Sequence, residues 1–246
     1  MASAKPTSAA GDRGSAGVPE LIWLRPERTG RGPRPAHSRK AIAAAAVEIA
    51  DAEGIDAVAM RRVAAALGAG TMSLYNYVPK KEHLFDLMLD EIVGEYRLPD
   101  TPSGDPRADL RFVAHEQLAL SRRHPWMVEL LVKRPSLGPN SLRVTEFFLT
   151  ALVGTDLDGP AKMEAMSLLS GFVAQFAQWE HANAAPAGGE TWHADLLRYL
   201  SGVAASGDYP QLTAAMAAGG EPPDSDAVFA RSLDRLLTAL LGPGQG

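Results

Sequence analysis

Cysteine is absent from the 246 residues, which excludes disulfides and thiolate metal sites and leaves the redox compartment unspecified. No apolar run approaches the roughly 20 residues that span a bilayer, and the N-terminus lacks the apolar core of a secretory signal, so no membrane partner and a cytoplasmic location are expected. Runs of β-branched residues are scarce while Ala, Leu and Met are plentiful, and the expected fold class is all-α. Patterns that carry chemistry are equally sparse. His115 and Glu116 open an HExx sequence, but Ala119 stands where the second zinc ligand of a metalloprotease belongs. The six histidines show no i, i+4 pairing and no GxSxG elbow occurs. Neither an enzyme nor a metal or cofactor site is expected.

Positive charge is short overall, with a net charge of -5 at pH 7, yet it is segregated. Arg25, Arg28, Arg31, Arg34, Arg39 and Lys40 face the single acid Glu27 within one stretch, and such segregation governs steering toward a polyanion more than the total does. Residues 1–37 are rich in Gly, Pro, Ser, Ala and Arg and cannot bury enough apolar surface to fold alone, so a flexible basic extension is expected there. Two readings of it stay open. One is a tail with a small docking patch at Leu21, Ile22, Trp23 and Leu24; the other is a basic arm, with Arg31 and Arg34, lying in a DNA minor groove.

Between Ala59 and Lys81 two short apolar-periodic segments, Arg61 to Leu67 and Thr71 to Val78, are separated only by Gly68, Ala69 and Gly70. A gap that short fits a tight helix-to-helix turn, hence a helix-turn-helix. Val63 and Leu67 share one face of the first helix and Leu74 and Val78 one face of the second, so two apolar stripes can meet across the turn. Thr71 suits the N-cap of the second helix. Met72, Ser73, Tyr75, Asn76 and Tyr77 are then left outward, a set of hydroxyls, amide and aromatic edges that suits bases and phosphates in a major groove. Arg61 and Arg62 on one side and Lys80 and Lys81 on the other bracket that face with positive charge.

Residues 42–89 resemble the N-terminal DNA-binding domain of the TetR family of bacterial transcriptional regulators. The likeness rests on the alanine-rich first helix ending in Ala52-Glu53-Gly54, the VAAALG run from Val63 to Gly68, the LYNYV core from Leu74 to Val78, and the KKEHL sequence from Lys80 to Leu84. The resemblance implies a ligand-responsive repressor that binds a palindromic double-stranded operator as a homodimer. By position it directs Arg61 and Thr71 toward base edges, Met72 toward base methyls or edges, and Ser73, Tyr75, Tyr77 and Lys81 mainly toward phosphates. Met60 departs from it, because many relatives carry a capping Ser or Thr there. The alternative is a helical small-molecule-binding protein whose DNA binding is lost or secondary.

Ser38 is a plausible N-cap for a first helix that Gly54 ends, and a long fourth helix opens after Pro79 and runs toward Arg97. The expected division is an extension over 1–37, a DNA-binding domain over 38–83, and a helical ligand-binding and dimerisation domain over 84–246. Further helices are expected near 106–123, 126–133, 139–153, 160–183, 191–200, 210–218 and 225–241, several of them opened by proline. The helices near 160–183 and 225–241 are apolar around most of their circumference, and the resemblance assigns them to the dimer interface. It also implies an inducer pocket, for which Phe112, His115, Trp126, Phe147, Phe148, Met166, Gln175 and Trp179 are the candidate lining. Tetracycline repressors hold a magnesium chelate with a histidine near the end of the fourth helix; Tyr96 and Arg97 stand there in this chain, which argues against tetracycline and leaves the small molecule unknown.

Overall fold

The computed structural model describes residues 21–26, 37–133, 136–184, 189–218 and 224–242, and among them every regular element is helical. Arg31 and Arg34 lie outside the described residues, and so does Arg28. Among the described residues the α-helices follow in order: α1 Arg39–Glu53, α2 Met60–Ala66, α3 Thr71–Tyr75, α4 Lys81–Val93, α5 Pro106–Arg123, α6 Trp126–Lys133, α7 Pro139–Ala151, α8 Gly159–Ala184, α9 Gly189–Ser206, α10 Pro210–Ala217 and α11 Ser225–Leu241. Two apolar cores organise them. The first gathers Ile42, Val63, Leu74, Val78, Leu84, Met88 and Ile92 from α1 to α4 with Trp126, Met127 and Leu130 of α6. The second gathers Leu110, Val113, Phe148, Leu169, Val173, Phe229, Leu233 and Leu237 from α5, α7, α8 and α11.

Local chemistry accounts for the ends of these helices. Ser38 accepts the Ala41 amide at 3.1 Å and so caps α1, while Gly54 closes it at a positive φ of 85°. The turn between α2 and α3 is a left-handed exit: Gly68 sits at φ 63° and the Ala69 amide reaches back to the Ala64 carbonyl at 2.8 Å, which satisfies a carbonyl that the end of α2 would leave open. Thr71 is not the cap of α3. Gly70 takes that place in extended backbone, without a side-chain bond, and Thr71 is the first helical residue. The helix also stops at Tyr75, short of the expected Val78. Pro79 has no amide proton of its own with which to continue the helix and disfavours helix at Val78; the chain closes instead with turn bonds from Tyr77 and Val78 to the Leu74 carbonyl, both 2.9 Å. Likewise α4 ends at Val93, before Arg97, where Gly94, Glu95 and Tyr96 form a bonded turn.

The extension is not wholly without structure. A 3₁₀ turn at Ile22–Leu24 places Ile22 in the first core with no exposed surface, and Trp23 packs beside it. Arg39 at the start of α1 donates to the carbonyl of Arg25 at 2.9 Å and fastens this segment. An apolar plug needs only one or two side chains when its seat is already built, which composition averaged over 37 residues does not reveal. Helix α4 runs without interruption through the expected boundary at 83/84 and feeds the first core along its length. At the other end, α9 and α10 form a helical hairpin with no buried residue among those described, and Trp192, Leu197, Tyr199, Tyr209 and Leu212 stand exposed on it.

Candidate DNA-reading face and ligand cavity

The short α3 presents a continuous outward surface because Leu74 alone anchors its inner side. Met72 is 78% exposed and Tyr75 40% exposed, Ser73 is open, and Thr71 is half-buried at the helix start. Arg61 and Lys81 are exposed at the two edges, and the Lys81 ammonium lies 5.1 Å above the Phe85 ring. Tyr77 is different: its ring packs partly against the first core. Arg62, expected to add charge to this face, instead forms a forked ion pair with Glu53, one arm at 2.9 Å, and donates to the Ala57 carbonyl at 3.4 Å. That bond holds the Glu53 carboxyl below its usual range. A further cation takes part that spacing did not single out. Arg25 donates to the Asn76 carbonyl at 3.0 Å, at the carbonyl end of α3 where positive charge is favoured.

Behind α4 lies a cavity of about 440 Å³ with walls from five helices. Val93 ends α4 on its wall; Val113, Met127, Leu131, Val144, Phe148, Met166, Leu169 and Ala174 complete the apolar part. Neutral polar groups converge from Tyr96, Gln117, Ser136, Ser141, Thr145, Ser167 and Ser170, and the described lining carries no carboxylate, ammonium, guanidinium or imidazole. Burial, reinforced by the nearby Glu116 charge, pushes the Tyr96 phenol far above its ordinary range, so it offers a proton rather than a charge. Gln117 is nearly buried and its amide donates to the Ser170 carbonyl at 3.2 Å. A mostly apolar chamber of this size with a few aimed polar groups is the usual form of a small-molecule site.

The eight residues proposed from sequence as pocket lining scatter. Phe148 and Met166 reach the cavity. Gln175 and Trp179 meet instead in a shallow groove of about 270 Å³ with Phe172, Phe176, Val228 and Ser232, between α8 and α11. Phe147 is buried in the second core, and exposed His115 stands edge-on to Phe229 with centroids 5.2 Å apart. Phe112 lies at the surface, and Trp126 donates its indole N–H to Asp51 at 2.7 Å, away from the cavity.

This arrangement has close parallels. A family profile described as "Tetracyclin repressor-like, C-terminal domain" matches residues 98–241, and one described as "Bacterial regulatory proteins, tetR family" matches residues 42–88. Over 241 residues, 95% of this chain and 87% of the relative, the sequence is 40% identical to the HTH-type transcriptional repressor DrrR1 of Streptomyces coeruleorubidus. The chain belongs to the TetR family. This TetR-family protein is also 33% identical over 230 residues to an HTH-type transcriptional regulator of Saccharopolyspora erythraea, covering 92% of the chain and 93% of the relative. Apo ActR of Streptomyces coelicolor superposes with a TM-score of 0.71 at 27% identity, and ActR in complex with actinorhodin with 0.72 at 28% identity; each comparison covers 85% of this chain and 99% of ActR. A TetR-family protein is a DNA-binding transcriptional regulator. Among the described residues no helix is long and apolar enough to cross a membrane.

Proposed function

We propose that this protein is a cytoplasmic repressor that holds a palindromic operator as a homodimer and releases it when a neutral small molecule fills the cavity behind α4. One observation carries the reading: α4 opens with Lys81 beside the DNA-reading face and closes with Val93 in the cavity wall. A ligand that fits better with α4 displaced weakens operator binding by the same factor, because the two equilibria are linked. The relative named as the repressor DrrR1 and the ActR complex with actinorhodin support repression and a bound small molecule. The uncharged lining selects the class, since an ion moved into it would lose its hydration without a partner.

On DNA, Arg61 and Thr71 face base edges and Met72 a base methyl, while Ser73, Tyr75, Tyr77 and Lys81 face phosphates; Arg31 and Arg34 extend the basic track into the adjacent minor groove. The dimer forms on α8 and α11. Leu168 and Trp179 of α8, eleven residues and so about three turns apart on one face, are each close to half exposed, apolar surface that a second copy would cover. The test is fluorescence anisotropy on duplexes drawn from the DNA flanking the gene, followed by titration with actinorhodin and with neutral polycyclic compounds. Tight binding by a dimer, reversed by an uncharged compound, is the expected result. A monomer that ignores every duplex at low salt overturns the proposal.

A further inference from the structure

The wall of the cavity and the helix that leads to DNA meet at one buried carboxylate. Helix α7 begins after Gly138, which has no side chain with which to cap it. Asp90 of α4 supplies the cap across the interface. Its Oδ1 accepts the backbone amides of Asn140 at 3.0 Å and Ser141 at 3.1 Å, and the Asn140 side-chain amide donates to the Asp90 carbonyl at 3.0 Å and to Oδ2 at 3.3 Å. The residue is 6% exposed. Two glycines permit the approach: a Cβ on Gly138 would fall 2.1 Å from Oδ1, and one on Gly94 would fall 3.0 Å from the Asn140 amide nitrogen. The far side of the same turn belongs to the cavity. Ser141 lines it, bonded to Ser136 which lines it too, and Val144 and Thr145 follow one turn later.

We propose that Asp90 is the positioning residue through which occupancy of the cavity reaches the DNA-reading head. Whatever shifts the first turn of α7 carries two amides bound to one oxygen of α4, and pulling the turns apart would leave that buried oxygen and both amides without partners. Apolar contacts alone would let α4 slide past α7; the bonded joint makes the two helices move together. The proposal rests on the cavity being the controlling site, and the two can fail separately.

The experiment needs no inducer. Ala174→Trp, with Gly171→Trp as a second filler, places a side chain into the cavity as a built-in occupant; a Cβ at Gly171 meets nothing within 4 Å. Operator affinity is measured on a duplex selected from a random pool by the unmodified protein, with circular dichroism confirming the fold of each variant. Filling the cavity is expected to weaken binding on the order of tenfold, and Asp90→Ala is expected to abolish that response. Asp90→Asn, which keeps an acceptor oxygen for the two amides, restores most of it. Gly138→Ala, which drives the carboxylate off without removing it, should mimic Asp90→Ala if one of that pair fails to fold. An equal loss of affinity with and without Asp90 overturns the proposal. Should both fillers leave the otherwise unmodified protein at full affinity, the cavity itself is not the controlling site and the inference falls with it.

Discussion

His124 Nδ1 lies 2.7 Å from Asp51 Oδ1, which ties the end of α5 to the last turns of α1. The same oxygen accepts the Trp126 indole N–H at 2.7 Å, while His124 Nε2 faces Glu95 at 3.2 Å, and Glu95 in turn holds Arg123 at 2.8 Å. The DNA-reading half and the cavity-bearing half are thus joined at a polar knot separate from α4. Replacing Asp51 with Ala strands two ring nitrogens in residues that are less than a tenth exposed. A loss of about 1–3 kcal/mol in urea unfolding is expected; an unchanged midpoint would show that the knot bears no load.

Lys81 and Arg62 should separate cleanly on DNA. Lys81→Ala removes an exposed charge at the start of α4 that the proposed docking sets against phosphate, so the slope of log affinity against log salt should fall by about one. Arg62→Ala should leave the slope unchanged, because its guanidinium is occupied by Glu53. A shift in slope for the arginine variant and none for the lysine would reverse the assignment.

Ile22 makes the extension part of the fold. It has no exposed surface and sits in the first core, so Ile22→Ala opens a cavity there and should cost about 2–5 kcal/mol. Thermal and urea unfolding measure it. A cost near zero would mean that the segment detaches without consequence.

Acid sensitivity should be concentrated at Arg122. Its guanidinium forks onto Glu180 at 2.9 and 2.7 Å and reaches Asp226 at 2.6 Å, and the Arg122 bond holds the Glu180 carboxyl below its ordinary value of 4.5. A carboxyl depressed in the folded state contributes stability that is complete above its unfolded value and is lost as pH falls through the folded one. Arg122→Gln should therefore be less stable than the unmodified protein at pH 7, with the gap closing below about pH 4.5. Denaturant melts across pH 3 to 7 decide it; a gap independent of pH would assign the loss to packing instead.

Much of this architecture can be read in the chain before any coordinates, and the misses have physical causes. Pro106, Pro139 and Pro210 each open a helix because proline's fixed φ suits that position and its missing amide is not needed there. The end of α3 was obscured because Leu74 and Val78 stay on the buried side whether the intervening residues are helix or turn; spacing alone does not distinguish them. The cavity was the least legible part. Most of its polar wall comes from Ser136, Ser141, Thr145, Ser167 and Ser170, small residues that draw no notice in sequence and converge only through packing of distant helices. Aromatic candidates such as Trp126 and Phe147 were drawn into core and joint, which use flat rings as readily as a binding site does.

Five residues make α3 a very short probe. At a rise of about 1.5 Å per residue its axis covers only some two base-pair steps, and even generous side-chain reach extends to roughly four. A word of four letters recurs by chance on the order of once in a few hundred positions, far too often to mark one promoter in a genome of millions. A single head of this length cannot carry a unique address, so the homodimer proposed above would draw its selectivity from two short words read together at a fixed spacing, set by how the subunits are mounted rather than by what any one side chain touches.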